Sequence, residues 1–207
     1  MIGQLYETHV LPHLIGCACG APQIMKQRSR LIPQARGRVL EVGFGTGTNL
    51  SFYDPAAITE LVALEPSEGM RRKAAPAIAG FPVPVTWLAE GAETAALEPA
   101  SFDTIVLTYT ACTIPDPDRA LAALRRALKP GGQLLFSEHG LAPDEGVARW
   151  QRRIEPVWKP LAGGCHLTRD PAAMITRAGF NITRIEAGYL PKTPKIAGYN
   201  TAGYAVG

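Results

Sequence analysis

The sequence predicts an α/β fold, a mostly parallel sheet with helices on both faces. Three observations lead there. After residue 37, short β-rich runs alternate with segments whose apolar residues recur at helical spacing. The first run feeds directly into a glycine-rich turn, "VLEVGFGTGTN" at 39–49. The chain then closes on two β-rich runs joined by "PKTPKIAG", the pattern of an antiparallel pair at a sheet edge.

Taken in order, "RVLEVG" reads as the first strand and "ELVALE" as the second. "VPVTWL", "FDTIVLT" and "GGQLLFSEH" supply the next three, and "FNITRIEAGYL" and "YNTAGYAV" the last two. Helices fall on "SEGMRRKAAPAIAG" and "DPDRALAALRRALKPGG". In the second, Asp116 or Asp118 can cap the start, and Pro130-Gly131-Gly132 stops it. Residues 1–37 have a helical look punctuated by Pro12, Pro22 and Pro33, and are expected to form a cap ahead of one domain, 38–207.

Composition bounds the possibilities. The 207 residues are 46% hydrophobic and 19% charged, which suits one globular unit with a sizeable core. A net charge of +3, dispersed along the chain, gives no nucleic-acid footprint. No run reaches the roughly 18 apolar residues of a membrane span. The start, "MIGQLYETHV", lacks the basic-then-apolar pattern of a secretory signal. A cytoplasmic protein without a transmembrane anchor is therefore expected, with Cys17, Cys19, Cys112 and Cys165 as reduced thiols. No metal is expected: "CAC" at 17–19 would need ligands from far along the chain, and small apolar filling suits Cys17 and Cys19 better.

Gly43, Gly45 and Gly47 are spaced G-x-G-x-G. The dinucleotide fingerprint wants its third glycine where Thr48 stands, and the Gly-Lys-Ser/Thr of a P-loop is missing. Glu41, just ahead of the glycines, works against a pyrophosphate at the helix start and suits a cation. S-adenosylmethionine has no phosphate and carries an ammonium and a sulfonium, so it fits better. A plain strand-to-helix turn with a solvated Glu41 is the alternative. Glu65 ends the second strand, where a carboxylate can accept both hydroxyls of a ribose. Its other reading is an N-cap or a surface acid.

Together, "VLEVGFGTGTN", "LEPSEGM" and "LKPGGQLLFSEH" resemble the first motif, the second motif and the fifth strand of class I S-adenosylmethionine-dependent methyltransferases. The resemblance runs from Arg38 to Val206. It implies a seven-stranded Rossmann-like sheet, mostly parallel with the last strand antiparallel, and S-adenosylmethionine as cofactor. It implies Glu41, Gly43, Gly45 and Gly47 around the methionine part, Glu65 on the ribose, Pro66, Ser67 and Met70 beside the adenosine, and Asn49 among the cofactor-binding residues. "EGAETAALEPASFD" stands where the family commonly has "GDAEALPFPDGSFD", so Gly91 replaces the aspartate that binds the adenine amine. Backbone groups of Gly91 and Ala92, or Glu90 next door, would substitute, and Glu93 belongs to the same cofactor-binding stretch. Thr108 and Tyr109 fall beside the expected methyl group, with ordinary strand packing as their other role.

A narrower resemblance lies in "EHG" at 138–140, "WQRRIEPVWKPLAGGCHLTRD" at 150–170 and the terminal "GYAV". These are similar to the group that includes animal alkyl-thiol methyltransferases, whose bacterial members share "HVLPHLI", "ACG" and "KQR". The animal members carry an N-terminal hydrophobic anchor, which is not expected here, so their membrane location is not carried over. The resemblance implies a small-molecule acceptor, preferably a thiol. Methylation of nitrogen, oxygen or carbon on a lipid head group or quinone is the rival, and a non-catalytic cofactor-binding module a third reading.

His139, at the carboxyl end of the fifth strand, is the candidate base, or else pins the loop that follows. Glu138 would orient that loop or a substrate group. Trp150 and Trp158, near one helical face, would wall a substrate pocket with His166, or pack their helix on the sheet. Cys112 and Cys165 are assigned to shape, since displacement at a sulfonium needs no enzyme-bound intermediate. "HVLPHLIGCACGA" would close as a lid over the substrate; an interfacial helix is disfavoured by its lack of lysine and arginine.

Overall fold

The structure, a computed structural model, describes residues 19–207. A first helix, α1 (Pro22–Leu31), leads into β1 (Gly37–Val42), β2 (Ile58–Leu64), α2 (Glu68–Ala79), β3 (Val85–Leu88) and β4 (Phe102–Thr108). Then follow α3 (Pro117–Ala127), β5 (Leu128–His139), α4 (Glu145–Leu161), α5 (Pro171–Arg177), β6 (Asn181–Tyr189), α6 (Lys195–Gly198) and β7 (Tyr199–Val206). Among the described residues seven strands form one sheet in the order β3-β2-β1-β4-β5-β7-β6. Pairing is parallel from β3 through β5, while β7 runs against both β5 and β6. The expected antiparallel closing pair is present, with β7 inserted and β6 left at the edge.

The alternation of side chains along each strand divides the core in two. Leu40 and Val42 of β1, with Ile105 and Leu107 of β4, pack on Leu121 and Leu124 of α3 and Ile175 of α5. Val39, Leu61 and Val106 point the other way, onto Leu31 and Ile32 at the end of α1 and Ala74 of α2. Glu41 shares the parity of Val39 and so faces the α1 side of the sheet. The carboxyl ends of β1, β2, β4 and β5 meet along one edge, where a sheet of this kind binds ligands.

The helix starts follow their capping residues. Ser67 Oγ accepts from Met70 N at 3.3 Å, and Asp116 Oδ1 from Arg119 N at 3.0 Å. Asp116 is therefore the cap of α3, and Asp118 instead pairs with Arg177 at 2.6 Å. The helix stops earlier than the Pro130-Gly131-Gly132 turn predicts. Its C-cap, Leu128, is already extended, and those three residues form an irregular stretch inside β5, where the register on β4 shifts between Phe102 and Thr104. Edge strand β6 carries exposed, paired Arg184 and Glu186, charges that discourage a further strand from adding. Among the described residues no helix is long and apolar enough to cross a membrane.

Candidate functional site

The glycine turn after β1 is anchored from beneath. Gly43 has φ +69°, and a Cβ there would strike the Thr110 side chain, so only glycine lets the β1 and β4 loops come this close. Gly45 N donates to Glu65 Oε2 at 2.9 Å and Ser67 N to Glu65 Oε1 at 2.9 Å. Glu65 thus clamps the loops after β1 and β2 together. A carboxylate has about four acceptor sites, so lone pairs remain for further donors. Burial raises its pKa, and the two backbone N–H groups oppose the rise.

Glu41 is 2% exposed and accepts from Asn49 Nδ2 at 2.9 Å and from the Tyr53 hydroxyl at 2.8 Å. Burial lifts its pKa to about 7 against those bonds and the nearby Arg28 charge. Asn49 continues outward, its Oδ1 accepting from Arg28 Nη1 at 2.6 Å, and the same guanidinium donates to Thr108 Oγ1 at 2.9 Å. Arg28 also lies over the Tyr109 ring, 5.2 Å from its centroid. Its Nε is buried without a partner. Tyr109 leaves β4 with φ +55°, an unusual backbone for a tyrosine of the kind that gathers at functional sites. Burial pushes its hydroxyl up to about 12.

Ser67 and buried Met70 begin α2, and Arg71 secures the bend before it by donating to the carbonyls of Glu65 and Pro66 at 2.6 and 2.8 Å. Ala92 is buried in the core, while Gly91 has the Glu93 carboxylate folded over it: a Cβ on Gly91 would lie 2.8 Å from Glu93 Oε1. Glu93 Oε2 is buried with no partner. The space that an aspartate side chain at 91 would enter is therefore filled by a carboxylate two residues on. An unsatisfied buried acceptor here fits an amine donor.

The other half of the edge gathers residues far apart in sequence. Cys165 Sγ lies 3.2 Å from His139 Nε2 and accepts from Trp158 Nε1 at 3.4 Å. Cys112 completes the group: its sulfur, that of Cys165 and an imidazole nitrogen of His139 all lie within 4.8 Å of one another. The loops are pinned to make this possible. His166 N donates to the Cys112 carbonyl at 2.9 Å. Arg169 Nη1 donates to the carbonyls of Ala111 and Ile114, the latter at 2.8 Å. Glu138 Oε1 receives Thr110 N at 2.8 Å and Ala111 N at 3.1 Å, and its Oε2 is buried without a partner. Burial pushes that acid up to about 7. The bond from Cys112 and the partner imidazole hold the Cys165 thiol well below its usual range, while Cys112 rises as donor in that bond and by burial. Burial draws the His139 imidazolium down, but the Cys165 sulfur outweighs it and the net shift is upward.

Several candidates sit elsewhere than predicted. Trp150 is 58% exposed, with Arg153 over its ring at 5.7 Å, so it neither packs the helix on the sheet nor walls the Cys–His group. The reason is rotation: Gln151, one position on, takes the inward face of α4 and is fully buried. It accepts from Ala142 N at 2.9 Å and donates to the carbonyls of Gly140 and Ile196, both at 3.0 Å. Trp158, further round the helix, does reach the site. His166 is paired with Glu155 at 2.9 Å, and its backbone rather than its ring serves the Cys112 loop. The expected lid lies outside the described residues up to residue 18, and Cys19, half-buried, has its thiol raised by burial and faces Arg28. Arg28, Tyr53, Gln151 and Arg169 are site residues that sequence reasoning missed. Arg28 stood in the quoted "KQR" and Gln151 and Arg169 in "WQRRIEPVWKPLAGGCHLTRD", though none was given a role, and Tyr53 stood in no quoted motif.

Comparison with known proteins accords with this geometry. A family model described as a methyltransferase domain matches residues 21–185. A thiol S-methyltransferase of Rattus norvegicus is 35% identical over 77% of this chain and 68% of its own length. A human thiol S-methyltransferase is 33% identical over 79% of this chain and 71% of its own. A demethylmenaquinone methyltransferase of Renibacterium salmoninarum is 32% identical over 53% of this chain and 46% of its own. Among solved structures, a SAM-dependent methyltransferase of Leishmania major superposes with TM-score 0.68 at 19% identity, covering 99% of this chain and 81% of that one. The sheet order with its reversed seventh strand, the glycine turn clamped by Glu65 and the family match agree: the chain belongs to the methyltransferase-domain family, and its cofactor is S-adenosyl-L-methionine.

Proposed function

We propose that this methyltransferase transfers the methyl group to the sulfur of a small-molecule thiol. The observation that carries the reading is the contact between His139 and Cys165, which joins "EHG" and "GGCHLTRD" into one acceptor-side group with Cys112 and Trp158. The two relatives named first are thiol S-methyltransferases, and they share the larger part of the chain.

The residues present fit the cofactor. Glu65 retains lone pairs for the ribose hydroxyls, and Glu93 Oε2 awaits a donor such as the adenine amine. Arg28, between Asn49 and Thr108, offers a guanidinium to the carboxylate of the methionine part, with Glu41 behind as a counter-charge for its ammonium. When bound, the cofactor supplies an already activated methyl group. The protein's work is then alignment and water exclusion, and good alignment accounts for ~7–11 kcal/mol of such barriers. A thiol, with a free pKa of roughly 8.5, needs only to ionise to become a strong nucleophile.

The test is release of S-adenosylhomocysteine by purified protein given matched thiols, amines, phenols and alcohols. Methylation of thiols well ahead of the others is the expected result. Turnover of amines or a quinone with thiols inert would move the acceptor assignment to the rival class. Cofactor binding without turnover of any acceptor would leave a binding module.

A further inference from the structure

We propose that Cys112, His139 and Cys165 form a binding site for a soft divalent cation, Zn²⁺ above all, with a fourth position left open at the acceptor side. The three side chains come from the β4–α3 loop, the end of β5 and the loop after α4, so no chain-local motif announces the site. Their ligand atoms lie within 4.8 Å of one another, with Cys165 Sγ 3.2 Å from His139 Nε2. A tetrahedral zinc with Zn–S near 2.3 Å and Zn–N near 2.0–2.1 Å sets its ligands about 3.6–3.8 Å apart. The group needs only small side-chain adjustments to close on an ion.

Four features make this more than a cluster of thiols. Both cysteines are buried, where sulfur is a weak hydrogen-bonding group. Trp158 Nε1 points at Cys165 Sγ at 3.4 Å, a donor placed to steady a thiolate ligand from outside the coordination sphere. The loops that carry the ligands are tied to each other by His166 N to the Cys112 carbonyl and by Arg169 to the carbonyls of Ala111 and Ile114, so the trio is held before any ion arrives. Two thiolates and one imidazole are also the donor set of catalytic zinc sites that keep a position open.

This inference rests on the thiol reading only in what the open position does. An acceptor thiol bound there would lose its proton to solvent on coordination, since a metal-bound thiol is held as thiolate. Its sulfur would then form the new S–CH₃ bond as the sulfonium C–S bond breaks, that electron pair leaving with S-adenosylhomocysteine. The cation is not consumed and no oxidant or reductant is required. In this scheme His139 acts as a ligand rather than a base, which agrees with its Nε2 being turned to the sulfur.

The experiment uses the full chain, kept reduced. Protein exposed to Zn²⁺, then desalted in metal-free buffer, is assayed for bound metal, and Co²⁺ is used in parallel as an optical probe. One zinc per chain is expected, with cobalt giving thiolate-to-metal charge transfer and the intense visible bands of tetrahedral coordination. Cys112→Ser, Cys165→Ser and His139→Ala should each lower retention at least tenfold while still binding S-adenosylhomocysteine, which reports an intact fold. Wild-type protein that binds S-adenosylhomocysteine yet retains no zinc and shows no cobalt–thiolate absorption overturns the site, whatever the variants do. An alkyl thiol, but not the matching alcohol, should shift the cobalt bands. Unshifted bands refute the open acceptor position and leave a closed structural ion. Bands that shift with thiols which are never methylated would keep the cation site and defeat the thiol-transfer reading, so the two failures are distinguishable.

Discussion

Glu65 holds two loops together through backbone N–H groups from Gly45 and Ser67, and it is also the group expected to meet the ribose. Hydrogen bonds to charged acceptors contribute ~1.5–3 kcal/mol, so Glu65→Ala should weaken S-adenosylhomocysteine binding roughly tenfold to a hundredfold, as read by calorimetry on folded protein. Glu93 makes a sharper distinction. Its buried oxygen has no partner, and if it accepts from the adenine amine, Glu93→Ala should bind S-adenosylhomocysteine ~10-fold more weakly, the worth of one hydrogen bond. The analogue with a carbonyl in place of the adenine amine should bind the variant at least as well as wild type; equal losses for both ligands would remove Glu93 from adenine recognition. Glu41 sets a stability effect with a defined sign. Its pKa near 7 in the folded protein lies above the ordinary carboxyl value of 4.5, so the native state holds its proton longer than the unfolded chain. The stability this contributes is fully present below about pH 4.5 and fades as pH rises to about 7, an effect of ~3 kcal/mol. Glu41→Gln has no such proton to lose, so its melting temperature relative to wild type should climb between pH 5 and 7. A difference that stays flat over that interval contradicts the assignment.

At the level of elements, α4 is set by one buried amide. Gln151 joins the loop after β5 to α6 through three hydrogen bonds, and Gln151→Ala would leave Ala142 N and two carbonyls unsatisfied in a buried place. Each such group costs ~1–3 kcal/mol. Denaturant unfolding should show a loss of that order, and methyl transfer should fall further than cofactor affinity, because the loop borders the acceptor side. Local pattern carried the strands, the helix starts and the glycine turn, since each is written in consecutive residues. It did not carry the face of α4, where a tryptophan was given the inward place that Gln151 holds. A polar residue earns no hydrophobic periodicity, so nothing in the spacing marked it. The trio of Cys112, His139 and Cys165 was hidden for another reason: metal ligands were sought at short spacing around "CAC", whereas here the fold brings two loops and the end of β5 together. Arg28 was legible only as part of a family pattern, because its partners Asn49 and Thr108 are joined to it by topology.

For the whole molecule, the boundary between cap and domain matters. Leu31 and Ile32 are core residues of the sheet's α1 face, with Ile32 wholly buried. A chain lacking residues 1–33 would therefore lose core as well as any lid, and large-to-small changes at such sites alone cost ~2–5 kcal/mol. Removing only residues 1–18 is the cleaner test of the proposed lid. That protein should fold and bind S-adenosylhomocysteine while losing most turnover, because water exclusion over the acceptor goes with it. Full activity in the shortened protein would refute the lid. The position of β7 has a consequence for how the protein comes to exist in a cell. β7 follows β6 in the chain, yet it is the strand that must seat between β5 and β6, so β6 has no sheet neighbour until β7 has been made. Gly203 at the centre of β7 leaves no room for a side chain against the Arg184 carbonyl and Phe136, so this late insertion also demands a close fit. A nascent chain stalled after Leu190 would present β5 as an open edge of fully buried type, with Leu134, Leu135 and Phe136 uncovered along it, and would be a substrate for chaperones until β7 arrives.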